Sequence, residues 1–109
     1  MARQIEDGTV LVIGLGRFGA AIAATLDDLG REVLAIEKDP ELAGRWSHRV
    51  RVIEGDATNV DTLEQAGARD FDVAVVGMGT ELESSVLVTA NLVDLGIKQI
   101  WAKAISRSH

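Results

Sequence analysis

The stretch Thr9-Val-Leu-Val-Ile-Gly14-Leu-Gly16-Arg17-Phe-Gly19 decides the fold of this chain. Its first half is an unbroken aliphatic run, which is typical of a strand buried on both faces. Its second half has the spacing G-x-G-x-x-G, and a helical pattern follows over residues 17–29. In such a turn the first glycine permits a tight bend, the second lets the backbone approach a pyrophosphate, and the third lets the helix pack on the strand. The pattern predicts a phosphate-binding turn; the alternative is a glycine-rich turn without a ligand.

An acidic residue at the end of the next strand indicates that the ligand is a nucleotide. Glu37 lies 18 residues after Gly19. A carboxylate there accepts hydrogen bonds from ribose hydroxyls and repels a 2′-phosphate, which disfavours NADP. Arg17 is poorly placed for the helix dipole, so we expect it to face phosphate. A solvated carboxylate and an exposed surface arginine are the respective alternatives. Three neighbours are assigned to the same site: Leu15, Phe18 and Lys38.

Two later strand ends are predicted to complete the site. Asp56, Ala57 and Thr58 leave the third strand where an adenine ring would lie, and Asp56 could accept a hydrogen bond from the adenine amino group. The Thr58 side chain is equally well explained as a helix N-cap.

Gly77, Met78 and Gly79 leave the fourth strand across from the first, and glycines there permit close backbone approach to a ligand. Glu83 is assigned a ligand role as well, although its first interpretation is a capping box with Thr80.

Composition narrows the class of protein. The chain has 109 residues, enough for one domain with an aliphatic core, since 47% of them are hydrophobic and only 4% aromatic. Its net charge of −6 argues against binding nucleic acid. Cysteine is absent, which excludes disulfides, thiolate chemistry and Cys–zinc sites, and no metal site is expected. No stretch is long and apolar enough to span a bilayer, so a cytoplasmic protein is expected. No catalytic group stands out; His48 is interpreted as solvated, and we expect no enzyme.

Strand and helix patterns alternate, which predicts an α/β fold with a doubly wound parallel sheet in the order 3-2-1-4-5. The predicted strands cover residues 9–13, 32–36, 50–53, 72–76 and 99–103. Four helices are predicted. The first covers residues 17–29, with Ile22, Leu26 and Leu29 on one stripe, and the second covers residues 40–46 after an Asp39 N-cap. The third runs from a Thr58 capping signal to near residue 67, and the fourth covers residues 81–95. A complete doubly wound domain would continue after residue 103 with another helix and a sixth strand, for which no pattern is predicted here. A shortened chain or a fragment of a longer subunit is therefore expected.

The helix predicted over residues 81–95 is apolar on more than one side, which is typical of an interface. One stripe is expected to pack on the sheet: Leu82, Val86, Ala90 and Val93. A second set is left over: Leu87, Val88, Leu92 and Leu95. We therefore expect at least a dimer; the alternative is that a further helix of a longer subunit covers this side.

The chain also resembles the N-terminal domain of the RCK family (regulator of potassium conductance, the KTN or TrkA-N domain). The likeness is closest to the cytosolic regulatory subunits of bacterial Ktr and Trk potassium-uptake systems, and among these to the Ktr type. It covers nearly the whole chain and rests on four motifs in matching order and spacing: Val12-Ile-Gly-Leu-Gly-Arg-Phe-Gly19, Gly30-x-Glu-Val-Leu-Ala-Ile-Glu37, Gly55-Asp-Ala-Thr58 and Ile100-Trp-Ala-Lys-Ala104.

The resemblance implies a Rossmann-like domain that binds ATP/ADP or NAD(H) and assembles through dimers into an eight-membered ring. That ring would dock on, and gate, a potassium-translocating subunit at the inner face of the plasma membrane. It further implies that residues 14–19 hold phosphates, Glu37 the ribose and residues 56–58 the adenine. Arg17 would reach the terminal phosphate, and Lys103 would point toward the phosphate region.

Three functions remain open from the sequence. The first is a regulatory subunit for potassium uptake, which the short leader over residues 1–8 favours. The second is the NAD-binding half of an oxidoreductase. The third is a regulatory domain of a potassium channel or efflux antiporter.

Overall fold

The computed structural model describes residues 9–78 and 82–102. These residues form a five-stranded parallel sheet in the order β3-β2-β1-β4-β5, which confirms the predicted doubly wound topology. Each strand lies within one residue of its predicted bounds at either end. The strands are β1 (Thr9–Ile13), β2 (Glu32–Glu37), β3 (Arg51–Glu54), β4 (Val73–Val76) and β5 (Gln99–Ala102).

Four α-helices connect the strands in the described segments, at the predicted places. They are α1 (Arg17–Asp28), α2 (Pro40–Trp46), α3 (Val60–Gln65) and α4 (Leu82–Asp94), and a 3-10 turn (Ala68–Asp70) precedes β4. Asp39 caps α2 as predicted, because its carboxylate accepts a 3.0 Å hydrogen bond from the Glu41 N–H. Thr80, the predicted capping-box partner of Glu83, lies outside the described residues.

The start of α3 differs from the prediction. Asn59, not Thr58, is the N-cap, and its side-chain oxygen accepts a 2.9 Å hydrogen bond from the Asp61 N–H. Thr58 is held instead by Asp56, so the helix begins one residue later. Both residue types suit an N-cap, and the turn at Asp56 decides between them.

Two hydrophobic clusters cover the two faces of the sheet, as expected for strands that are buried on both sides. Alternate residues of β1 divide between them: Leu11 and Ile13 face α3 and α4, whereas Val10 and Val12 face α1 and α2. Leu29, predicted on the inner stripe of α1, is 70% exposed because the helix ends at residue 28.

The inner face of α4 is also different from the prediction. Val88 and Leu92 are fully buried on the sheet, flanked by buried Ser85 and Leu95. The stripe predicted to be buried is instead exposed, with Leu82 at 55%, Val86 at 58% and Val93 at 59%. The error arose because the small polar Ser85 was not counted as an inward residue. Leu87 is 48% exposed, so the outer face of α4 is apolar. Among the described residues, no helix is long and apolar enough to cross a membrane.

Replacing Gly44 by alanine is expected to stabilise the fold. Gly44 lies inside α2, and a Cβ placed there meets no atom within 4 Å. Alanine should raise the free energy of unfolding by about 0.5–1 kcal/mol, because it restricts the unfolded chain and favours helix. Urea denaturation measures the change. Gly30 is the control, since it has equal space but a φ of +81°; Gly30→Ala should destabilise, and equal effects at both sites would contradict the argument.

Candidate nucleotide-binding site

A cleft of about 280 Å³ lies at the carboxyl ends of the parallel strands. It sits beside β1, where the chain first builds outward through β2 and β3 and then continues with β4 on the other side of β1. Ligands of open α/β sheets bind at such a topological switch point. The residues that line it are Ile13, Gly14, Gly16, Ile36, Glu37, Lys38, Asp39, Leu42, Gly55, Asp56, Ala57, Gly77 and Met78.

Half of the residues predicted for the site line this cleft. Those that do are Gly14, Gly16, Glu37, Lys38, Asp56, Ala57, Gly77 and Met78. Those that do not are Leu15, Arg17, Phe18, Gly19, Thr58 and Glu83. Gly79 and Lys103 lie outside the described residues. Four separate segments of sequence therefore meet at one edge of the sheet.

Sequence reasoning missed five lining residues. Ile13 and Ile36 end β1 and β2, so their place at the cleft follows from the strand ends. Gly55 follows β3 and was named only as the first residue of the motif Gly55-Asp-Ala-Thr58, without a role in the site. Asp39 was predicted as a helix cap and also borders the cleft. Leu42 carried no local signal, because its position depends on how α2 packs over the end of β2.

Three glycines bring the backbone of the turn and of β4 into direct contact. Gly14 has a φ of +90°, which only glycine adopts without strain. A Cβ on Gly19 would lie 1.8 Å from the Gly14 carbonyl oxygen, so this glycine serves the close packing of α1 as predicted. A Cβ on Gly77 would lie 2.8 Å from the Gly19 Cα. The space beside its Cα is thus taken by the chain's own backbone, and because Gly77 also lines the cleft, its predicted close approach to a ligand stays a prediction.

Gly16 is different from these glycines because its missing side chain leaves open space. It is the N-cap of α1, its backbone is extended, and a Cβ there meets no atom within 4 Å. No side chain caps this helix, and no acidic residue lies in its first turn. The first N–H groups of a helix have no partners within it and carry the positive end of its dipole. The wall at Gly16 therefore suits a phosphate group.

Two other residues of the turn, one buried and one partly buried, pack their side chains on the protein core. Leu15 is 1% exposed and packs with the cluster under α1, and the Phe18 side chain packs against the same cluster. Both side chains contribute to the core, and for the buried Leu15 any contact to a ligand would come from the backbone.

Glu37 joins the glycine turn to the start of α2. Its side chain is 8% exposed, and its two oxygens accept hydrogen bonds from the Leu15 N–H at 2.5 Å and the Asp39 N–H at 2.9 Å. The carboxylate is therefore not the solvated group of the alternative interpretation. Each carboxylate oxygen can accept more than one hydrogen bond, so the predicted contact to a ribose hydroxyl stays a prediction that this geometry permits.

Asp56 organises the turn that follows β3. Its Oδ1 accepts hydrogen bonds from the Thr58 N–H at 3.0 Å and the Thr58 hydroxyl at 2.8 Å. These bonds, the backbone one foremost, lower the pKa of Asp56, and nearby Lys38 lowers it further. Ala57 is buried in the core beneath this turn. Arg17 and Glu83 are both exposed, at the starts of α1 and α4 respectively.

Comparison with known proteins identifies the fold family. Residues 10–109 match the sequence pattern of the TrkA-N domain. The chain belongs to the TrkA-N domain family. The predicted resemblance is thereby confirmed for the domain.

Relatives of this TrkA-N domain act in potassium transport. It is 35% identical over 107 residues to Ktr system potassium uptake protein A of Bacillus subtilis, covering 97% of this chain and 48% of that protein. It is 32% identical over 108 residues to the glutathione-regulated potassium-efflux system protein KefC of Salmonella paratyphi B, covering 95% of this chain and 17% of that protein. The chain thus spans about half the length of the uptake protein.

A solved structure shares the fold of this TrkA-N domain. The Shewanella denitrificans Kef CTD in its AMP-bound form matches with a TM-score of 0.76 and 25% identity, over 90% of this chain and 59% of that one.

Gly19→Ala is expected to destabilise the domain severely. The new methyl group would overlap the Gly14 carbonyl, so α1 must move away from the sheet. The expected loss is about 3 kcal/mol of unfolding free energy, measured by urea denaturation. Gly16→Ala is the matched variant in the same turn and should lose less than about 1 kcal/mol, because nothing lies within 4 Å of its Cβ. Equal losses would contradict the assigned packing.

Proposed function

We propose that this domain is a nucleotide sensor in a regulatory subunit that gates a membrane potassium-uptake channel or transporter. The observation that carries the proposal is the cleft at the switch point, where an uncapped glycine turn and a buried glutamate face one space. The similarity to an uptake protein of a Ktr system supports potassium uptake as the process that the domain would regulate. The subunit would act in the cytoplasm, at the membrane only through its transporter partner.

The proposed ligand is an adenine nucleotide, either ATP/ADP or NAD(H). Its phosphates would lie at Gly16, its ribose at Glu37 and its adenine at Asp56 and Ala57. The AMP bound to the Kef structure supports an adenosine group in this family. Lys38 is a cation at the cleft wall, and Arg17 stands at the start of α1, so both can offset phosphate charge.

A domain of this kind would sense its nucleotide without turning it over. The titratable groups that line the described cleft are Glu37, Lys38, Asp39 and Asp56. Both oxygens of Glu37 accept backbone hydrogen bonds, as does Oδ1 of Asp39 and of Asp56, so these three carboxylates support the structure. This arrangement favours a sensor over the NAD-binding half of an oxidoreductase. The similarity to KefC supports a second candidate, a regulatory domain of a potassium-efflux system.

Mass spectrometry of small molecules released from the purified protein tests the proposal most broadly, backed by calorimetric titration with ATP, ADP, NAD and NADH. Binding of at least one of them is expected. Failure of all four to bind would overturn the nucleotide-sensing role.

Gly16→Ala should weaken nucleotide binding without unfolding the domain. The added methyl group points into open space that the phosphates would fill. Affinity is expected to fall about tenfold or more, equivalent to about 1.4 kcal/mol, measured by calorimetry. Gly44→Ala serves as control and should bind like the wild type. Unchanged affinity in Gly16→Ala would place the phosphates elsewhere.

Arg17→Ala should distinguish nucleotides by the length of their phosphate chain. Loss of a charge-assisted contact to the outermost phosphate should lower the affinity for ATP about tenfold and the affinity for ADP less than about twofold. Calorimetry with both ligands on the mutant and the wild type measures this difference. An equal loss of affinity for both nucleotides would mean that Arg17 contacts only the inner phosphates. No loss would mean that Arg17 is a surface residue without contact to the ligand.

The outer face of α4 is proposed to bind a second copy of the chain. Its exposed apolar side chains Val86 and Val93 lie seven residues apart, on one side of the helix. We expect at least a dimer by light scattering, and the double variant Val86→Glu with Val93→Glu should raise its dissociation constant at least about tenfold, because charges would be buried. Leu29→Glu, on an exposed residue of α1's end, is the control. A wild-type protein that is monomeric at every concentration would contradict this assembly surface.

A further inference from the structure

The wall of the cleft at the end of β3 depends for its shape on one turn. Gly55, Asp56 and Ala57 line this wall. Along the sheet edge it lies beyond the glycine turn of β1 and Glu37 of β2, since β2 stands between β1 and β3. A nucleotide with its phosphates at the glycine turn and its ribose at Glu37 therefore presents its base to this wall.

The peptide unit that closes this turn is hydrogen-bonded on both sides. Its N–H, from Asn59, donates to the Asp56 carbonyl at 3.1 Å. Its carbonyl, from Thr58, accepts a 3.1 Å hydrogen bond from the Asn91 side-chain amide. The second bond joins residues 33 positions apart and ties the turn to α4. Rotation of this peptide plane would break both bonds and release Asp56 from its position at the cleft.

Asn91 does not line the cleft, so it would act on a ligand only through the turn. Ala57 packs in the same buried cluster as Val88 and Leu92, which lie on the inner face of α4. The helix thus supports the turn twice, by packing beneath Ala57 and by the Asn91 hydrogen bond. Packing fixes the depth of the turn, whereas the directional amide bond fixes the orientation of its closing peptide.

We propose that Asn91 is a positioning residue for base recognition: its amide holds the Thr58 carbonyl so that Asp56 and Ala57 form a wall against the nucleobase. This inference rests on the proposed function of the cleft. It predicts that loss of the amide weakens contacts to the base and spares contacts to ribose and phosphate.

The test compares AMP with ribose 5-phosphate, which lacks the base, by NMR titration of the whole chain. Asn91→Leu has similar size but no N–H donor. It is expected to lower AMP affinity about three- to tenfold, the range for one lost hydrogen bond, and to change ribose 5-phosphate affinity less than about twofold. Thr89→Val is the matched control on α4, because the Thr89 hydroxyl donates only within the helix, to the Ser85 carbonyl at 2.8 Å; it should change neither affinity.

The outcomes separate this inference from the function it rests on. Wild-type protein that binds neither AMP nor any of ATP, ADP, NAD and NADH overturns both, whereas binding of one of those four without AMP overturns this inference alone. Wild-type binding with unchanged AMP affinity in Asn91→Leu, or with equal losses for both ligands, overturns the role of Asn91 alone. If Asn91→Leu does not fold, Asn91→Asp decides, because a carboxylate of the same shape cannot donate to the Thr58 carbonyl at neutral pH; it should show the same AMP-selective loss.

Discussion

Backbone contact among three glycines is the constraint on which the rest of this structure depends. The start of α1 lies very close to the ends of β1 and β4. A Cβ on Gly19 would lie 1.8 Å from the Gly14 carbonyl oxygen, and a Cβ on Gly77 would lie 2.8 Å from the Gly19 Cα. This contact fixes the point where α1 leaves the sheet. It thereby aims the uncapped end of the helix at the switch point, and it leaves Gly16 as the glycine of the turn that faces open space.

Hydrogen bonds that two carboxylates accept extend this order to the neighbouring strands. Glu37 links the turn to the start of α2 by accepting from two backbone N–H groups, and Asp56 shapes the loop after β3 by accepting from the Thr58 N–H and hydroxyl. Such charge-assisted bonds are stronger than neutral ones. The acidic groups at the cleft therefore support its walls as well as offering acceptors to a ligand, which explains how an acidic protein can present a site suited to phosphate at its helix end.

The order of the strands and the position of the cleft follow from the sequence, because aliphatic runs, glycine spacing and right-handed crossovers leave few topologies. What was missed depends on contacts between distant residues. The bond from Leu15 to Glu37 spans 22 positions, and Leu42 reaches the cleft only through the packing of α2. The inner face of α4 was misassigned because a buried Ser85 interrupts its apolar pattern. A local choice between Thr58 and Asn59 as N-cap was decided by Asp56.

The central claim is that the cleft at the switch point binds an adenine nucleotide. Titration of ¹⁵N-labelled protein with ATP, ADP or NAD, followed through backbone amide shifts, tests it most directly because each N–H reports its own surroundings. The account predicts that the largest shifts fall on residues 14–19, 37–39 and 55–58, with small shifts at the exposed β3 residue Arg51 and on the outer face of α4. Large shifts confined to those distant surfaces, or none with any of these nucleotides, would contradict it.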